Sequence, residues 1–303
     1  MNTLTLNDDL MLQLNMLLAS IAYETSRADI ESQLKNVTLL GPEGFELSWF
    51  GQGAGTQMYV ANPVGSPANF VAIRGSVIDP ATEAFWVDWL DLNIRVFHQV
   101  PWPYANDAVP ANVKIAAGSA AGLLELTAMR DTQTSLSLIN YLSTLMPNML
   151  MVNGHSLGAA LATGLALHLQ KQTSHWVLPY TFAAPTIGNI PFARYMNNQF
   201  AGMYFARTYN TLDNIPKFWS VAGINAVQAS FNPGPAIPLL IDAPLEIVKG
   251  ILWEFEHGYE HVHEGEGRAL QGTPSLNDSW LEEVGLQHSH LTYLKLLGYQ
   301  QEY

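Results

Sequence analysis

Apolar positions along this chain change period several times, and each change predicts an element. Leu10, Leu14, Leu17, Leu18, Ile21 and Ala22 recur at helical spacing, so residues 7–35 read as an N-terminal helix. Strand-like runs follow at 45–51, at 56–62 and at Asn69-Phe70-Val71-Ala72-Ile73. A helical pattern covers about 119–145 and stops at Pro147. The chain then reads as a strand at 148–153, a helix at 156–171, a strand at 176–183, a helix near 190–200 and a strand at 203–209. Strands alternating with helices predict an α/β fold with a mostly parallel, doubly wound sheet and helices on both faces. Residues 219–258, rich in Pro, Gly and apolar side chains, break the rhythm and read as an insertion. A last helical segment spans about 286–298. With no internal repeat, low-complexity tract or linker, residues 1–303 read as one domain.

Composition narrows the partners. Charged residues are 13% of the chain, about half the usual share. Much of the polar surface is therefore neutral, which leaves room for apolar patches. A net charge of −13 argues against nucleic acid and against strongly anionic membranes. The absence of cysteine excludes disulfides and thiolate metal sites. The first residues have no basic region before Arg27 and Lys35, so a secretory signal is not expected. A cytoplasmic location is the default expectation, and export by a signal-less route is compatible with it. No run approaches the length of a transmembrane helix.

The chemistry concentrates at residues 149–169. A short apolar run meets Gly154-His155-Ser156-Leu157-Gly158, and a helix pattern of small residues follows at once. This is the strand, sharp turn and helix that a G-x-S-x-G nucleophile elbow requires. Gly154 and Gly158 suit close backbone approach, and Ala159, Ala160 and Ala162 keep the helix near the sheet. Ser156 would stand at a helix N-terminus, where developing negative charge is favoured.

A serine nucleophile needs a base, and the base needs an orienting acid. In this fold class the order along the chain is Ser, acid, His. Asp213 stands out from Asp242, Asp278 and several glutamates, because Asn210-Thr211-Leu212-Asp213-Asn214 follows the strand Tyr204–Tyr209. Groups that act on ligands collect at the carboxyl edge of such sheets. The base must come from His257, His261, His263, His288 or His290; the last two lie just before the terminal helix, and chemistry alone leaves both open. For the oxyanion, one donor would be the N–H of Leu157 and the second would come from the loop Arg74-Gly75-Ser76. Arg74 itself reads as one half of a structural ion pair.

Five segments in order resemble the class 3 lipases, a family of fungal-type triacylglycerol lipases, phospholipase A1-type plant acylhydrolases and bacterial relatives. They are Val71–Ser76, Gly154–Ala160, Thr181–Asn189, Arg207–Pro216 and His288–Leu294, together spanning about residues 69–297. The resemblance implies an α/β-hydrolase fold, Ser156 as nucleophile, Asp213 as acid, and Ser76 with Leu157 as the oxyanion hole. It selects His288 as base through Tyr293-Leu294 five and six residues later, with His290 as second choice. It also implies that 77–92, containing Phe85, Trp86, Trp89 and Leu90, forms a lid that meets substrate at a lipid–water interface. Where the family often has His-Gly-aromatic, this chain has Ala117-Gly118-Ser119, which bears on the shape of the acyl pocket. The family's Tyr-x-His-Val segment falls on Tyr259–Val262. A structural role is thus expected for the His257/His261 pair, and no metal.

The resulting expectation is a serine carboxylester hydrolase acting on lipid acyl esters through an acyl-enzyme, without cofactor. Triacylglycerol is ahead of phospholipid as substrate. A soluble short-chain or feruloyl-type esterase is the enzymatic rival, and a lipid-binding protein on a dead hydrolase fold is the non-enzymatic one. The apolar positions of 219–258 must either join the core or line a surface used by apolar substrate.

Overall fold

A computed structural model describes the chain except residues 1–7, 78, 84–85, 87–97, 107, 232–233, 255–257, 264–266, 276 and 300–303; for 251–254 it describes the backbone only. Its strands are β1 (Phe45–Gln52), β2 (Gln57–Pro63), β3 (Asn69–Ile73), β4 (Gln99–Pro101), β5 (Lys114–Ala116), β6 (Met149–His155), β7 (Trp176–Phe182), β8 (Ala206–Asn210) and β9 (Arg268–Leu270). The helices are α1 (Asp8–Ile21), α2 (Arg27–Leu34), α3 (Ala117–Ala128), α4 (Leu138–Leu142), α5 (Leu157–Gln172), α6 (Ile190–Gln199), α7 (Val221–Gln228), α8 (Leu239–Glu254), α9 (Trp280–His288) and α10 (His290–Leu296).

Seven strands make one sheet in the order β1-β2-β3-β6-β7-β8-β9. The β1/β2 and β2/β3 pairs are antiparallel, and every pair from β3 to β9 is parallel. The central strands are continuous apolar runs because both faces are covered. On β3, Phe70 and Ala72 enter one core cluster with α1, whereas Val71 and Ile73 enter the other with α3 and α5. Small residues at the start of α5 let that helix lie close to the sheet. A third cluster joins Trp86, Phe218, Trp219, Ile224, Ile241, Leu245 and Trp280.

Several predicted elements are revised. The single helix over 7–35 is two: α1 ends before Tyr23, and Ser26 caps α2 by accepting the Asp29 N–H at 3.2 Å. The pattern over 119–145 breaks after Met129. Asp131 there accepts N–H groups from Phe50 (2.9 Å) and Thr134 (2.7 Å), which holds a turn before α4. The terminal helix is also two, α9 and α10, separated by Ser289, whose hydroxyl accepts the Leu291 N–H at 3.3 Å.

The insertion folds as α7 and α8. Helix α8 turns Ile241, Leu245 and Val248 into the third cluster but leaves Leu239, Leu240 and Ile247 at 79%, 53% and 66% exposure. The apolar run thus has one side of a helix in the core and the other exposed. Among the described residues, no helix is long and apolar enough to cross a membrane.

His261 is buried, and its Nε2 donates to the Pro216 carbonyl at 2.6 Å. Burial, aided by the Arg207 charge, pulls its pKa down to about 3 from the ordinary 6.5. The unfolded chain therefore binds one more proton than the folded chain between those values. Its contribution to stability is full above pH 6.5 and is lost as pH falls toward 3, at about 1.4 kcal/mol per pH unit. His261→Gln, which keeps a donor for Pro216 but cannot titrate, should flatten the acid limb of a melting-temperature-versus-pH profile; an unchanged limb would refute the assignment.

Candidate active site

The site is assembled at the carboxyl edge of the parallel strands. Ser156 follows β6 and heads α5 with φ 59° and ψ −129°, a left-handed conformation that a non-glycine residue adopts only under constraint. The constraint is visible at its neighbours. A β-carbon at Gly154 would come within 2.4 Å of the Gly158 carbonyl, and one at Gly158 within 2.3 Å of the Ile73 carbonyl oxygen. Strand, elbow and the loop after β3 are therefore in backbone contact, which only glycine permits.

His288 ends α9 and lies between two partners. Its Nδ1 donates to Asp213 Oδ2 at 2.8 Å, which leaves Nε2 free to accept from the Ser156 hydroxyl at 2.8 Å. Asp213 lies in the loop after β8, fully buried. Three donors compensate its desolvation: His288 Nδ1, the Tyr293 hydroxyl at 2.8 Å and the Ile215 N–H at 2.9 Å. Tyr293 in turn accepts the Asn210 N–H at 2.9 Å. Burial and the nearby carboxylate push its phenol far above its ordinary pKa, so it remains a donor. The Asn210 side-chain amide donates to the Gln287 carbonyl (2.9 Å) and side-chain oxygen (2.8 Å), tying the residue before His288 to β8.

His290 does not reach Ser156 in this way. Its Nδ1 is bonded to the Ser20 hydroxyl at 2.6 Å, and its ring stacks on Tyr23 with centroids 5.0 Å apart. Tyr23 also bonds His155 Nδ1 through its hydroxyl at 2.9 Å. Burial lowers the pKa of both His155 and His290, so neither adds positive charge beside His288 at neutral pH.

The loop after β3 brings Ser76, expected as the second oxyanion donor, to the cavity wall. A β-carbon at Gly75 would come within 2.2 Å of the Tyr23 hydroxyl and 2.6 Å of the His155 carbonyl oxygen. Arg74 donates to the Gln57 side-chain oxygen at 3.2 Å, an amide rather than the carboxylate expected for an ion pair. Gln57 also donates to the Ala22 and Glu24 carbonyls at 3.1 and 2.7 Å, joining this loop to the end of α1. Leu157 is the first residue of α5, where an N–H has no partner within the helix.

Ser76, Ser156 and His288 open onto a cavity of about 610 Å³. Val77, Pro80, Ala81 and Leu286 are apolar parts of its wall, while Tyr23, Thr25, Ser289 and His290 are polar parts. Of the expected lid, Phe85, Trp89 and Leu90 lie outside the described residues. Trp86 is not the surface contact expected: its indole is fully buried against Phe218 and Trp280, with Nε1 donating to the Pro80 carbonyl at 2.9 Å. An indole with its N–H satisfied inside an aromatic cluster gains more from that burial than from solvent. No described residue of 219–254 lines this cavity.

Sequence reasoning overlooked Tyr23, Ser20, Asn210 and Gln287, and used Tyr293 only as a spacing mark. A polar Asn210 ending a strand, and Tyr293 five residues after a histidine, are the signals that could have pointed to two of them. Tyr23 and Ser20 carry no such signal, because they meet the site only through folding.

A parallel sheet carrying this elbow, with a buried acid and a histidine from later loops, defines an α/β hydrolase. Residues 70–222, about half of the chain, match the family model described as lipase (class 3). The chain belongs to the class 3 lipase family and is a carboxylic ester hydrolase of the lipase type. Its fold is similar to that of M37 lipase, 21% identical, with 97% of this chain and 94% of that one covered at a TM-score of 0.80. The Lip2 lipase from Yarrowia lipolytica is 18% identical, with 69% and 74% covered at 0.54. A triacylglycerol lipase whose catalytic centre is a serine-protease triad is 20% identical, with 70% and 73% covered at 0.50. No curated protein matches the sequence.

Proposed function

We propose that the enzyme hydrolyses neutral acylglycerols, triacylglycerol first, through an acyl-enzyme on Ser156. The observation that carries the reading is the unbroken chain Ser156–His288–Asp213 at 2.8 Å spacings, opening on a large cavity. Ser156 Oγ attacks the ester carbonyl carbon while His288 Nε2 takes its proton. Asp213 holds His288 in the tautomer that can accept, and favours the imidazolium that forms. The Leu157 N–H and Ser76 hold the oxyanion. Collapse of the tetrahedral intermediate expels the alcohol, which takes its proton from His288. A water molecule activated by the same histidine then releases the fatty acid. Asp79 and Glu282 in the cavity wall support neutral glycerides over phospholipids, because a phosphate would meet like charge there.

Fluorophosphonate labelling tests the nucleophile: Ser156 should be modified in the folded protein, and its failure to react would overturn the reading. Chain-length profiling with p-nitrophenyl esters tests the class. A maximum at acetate, without gain above the solubility limit of longer esters, would make this a soluble esterase.

The outward apolar row on α8 supports contact with an uncharged lipid surface. Leu240→Glu and Ile247→Glu should then reduce hydrolysis of emulsified long-chain triacylglycerol several-fold, and soluble short-chain ester hydrolysis by less than twofold. Melting temperature should change little, because both side chains are exposed. Equal loss on both substrates would show that the row serves the fold instead.

A further inference from the structure

The triad leaves two histidines of the cavity wall, His155 and His290, without a role. His290 lines the same cavity as Ser156 and His288. Its Nδ1 is engaged by Ser20 of α1 and its ring face by Tyr23, so the ring has a defined orientation set by two residues about 270 positions away. With Nδ1 bonded to Ser20, Nε2 is the ring's remaining polar atom, able to donate to a hydroxyl oxygen or accept its proton according to the tautomer. Ser289 precedes His290 in the chain and Tyr23 stacks on it; with Thr25 these are polar parts of a wall that also holds the apolar Val77, Pro80, Ala81 and Leu286 and the acidic Asp79 and Glu282.

The chemistry of the triad says which half of an ester meets these polar groups. The leaving oxygen must take its proton from His288 Nε2, so the alcohol lies against groups next to that atom. His288 and His290 both pack on His155, with ring centroids at 4.8 and 6.3 Å.

Resting on the proposed acylglycerol hydrolysis, we propose that His290, braced by Ser20 and Tyr23, is a specificity-determining residue that hydrogen-bonds free hydroxyl groups on the alcohol half of the substrate. Beside the triacylglycerol of the proposed function, partial glycerides and other esters of polyhydroxylated alcohols are accordingly favoured over esters of simple alkanols. A site built to bond a hydroxyl discriminates against the analogue without one, because its polar group is then left unpaired.

The test compares 1-monodecanoylglycerol with ethyl decanoate, which share an acyl chain and differ in the hydroxyls of the alcohol. His290→Leu should lower kcat/KM for the monoglyceride roughly tenfold, mainly through KM, and that for the ethyl ester less than twofold. His290→Gln, which retains a side-chain N–H, should recover most of the monoglyceride activity. Equal losses on both esters, no loss on either, or a Gln variant as poor as Leu would overturn the assignment. Melting curves identify a variant that loses activity through unfolding. In that case Ser20→Ala, which frees the ring and keeps its bulk, replaces His290→Leu under the same criteria for the two esters. Inactivity of the wild-type enzyme on both esters would instead remove the acylglycerol reading itself, and the proposal with it.

Discussion

Replacing Ser156 by alanine should lower ester hydrolysis by roughly 10⁴-fold or more, the scale on which a triad member is lost. The hydroxyl faces the cavity and His288. Alanine removes one oxygen from a half-open space and leaves the backbone strain of the elbow in place. Melting temperature should therefore stay close to that of the wild type, while substrate still binds. The measurement is initial rate on a p-nitrophenyl ester beside a thermal melt. A variant that keeps a tenth of the activity with an intact melt would show that Ser156 is not the nucleophile.

His288→Ala should be as damaging as Ser156→Ala, because among the described residues no other histidine is bonded to both Ser156 and a buried carboxylate. His290→Ala should cost no more than roughly tenfold, since its nearest partners are Ser20 and Tyr23. Steady-state rates of the two variants on one substrate decide the matter. A reversed ranking would transfer the role of base to His290. The double variant His288→Ala/Ser156→Ala should be no slower than either single one, because groups that act as one unit fail together.

What the sequence disclosed and what it hid follow from the range of the interactions. The elbow was readable because its requirements are local: an apolar strand, two glycines and a small-residue helix within twenty positions. Asp213 could be singled out by its place after a strand. Chemistry alone left His288 and His290 open; the Tyr293-Leu294 spacing that selects His288 came with the family resemblance, while the partners that occupy His290, Ser20 and Tyr23, meet it across the whole chain. Three-residue strands such as β4, β5 and β9 were invisible for a similar reason, since their pairing comes from the partner strand rather than from their own periodicity. The resemblance put Trp86 in a lid that meets substrate, and its burial depends on Phe218 and Trp280, which lie far along the chain.

The first and last helices of the fold touch: Gln13 on α1 donates to the Leu297 carbonyl just past α10 at 2.6 Å. This contact between α1 and the residue after α10 makes the fold a natural subject for circular permutation. A connector from α10 to α1, with new ends opened at the exposed turn Ala201-Gly202, would place Asp213 and His288 ahead of Ser156 along the polypeptide. The nucleophile, acid and base would keep their distances while the order Ser, Asp, His disappeared. That order, by which such enzymes are read from their genes, belongs to where translation starts and not to the chemistry.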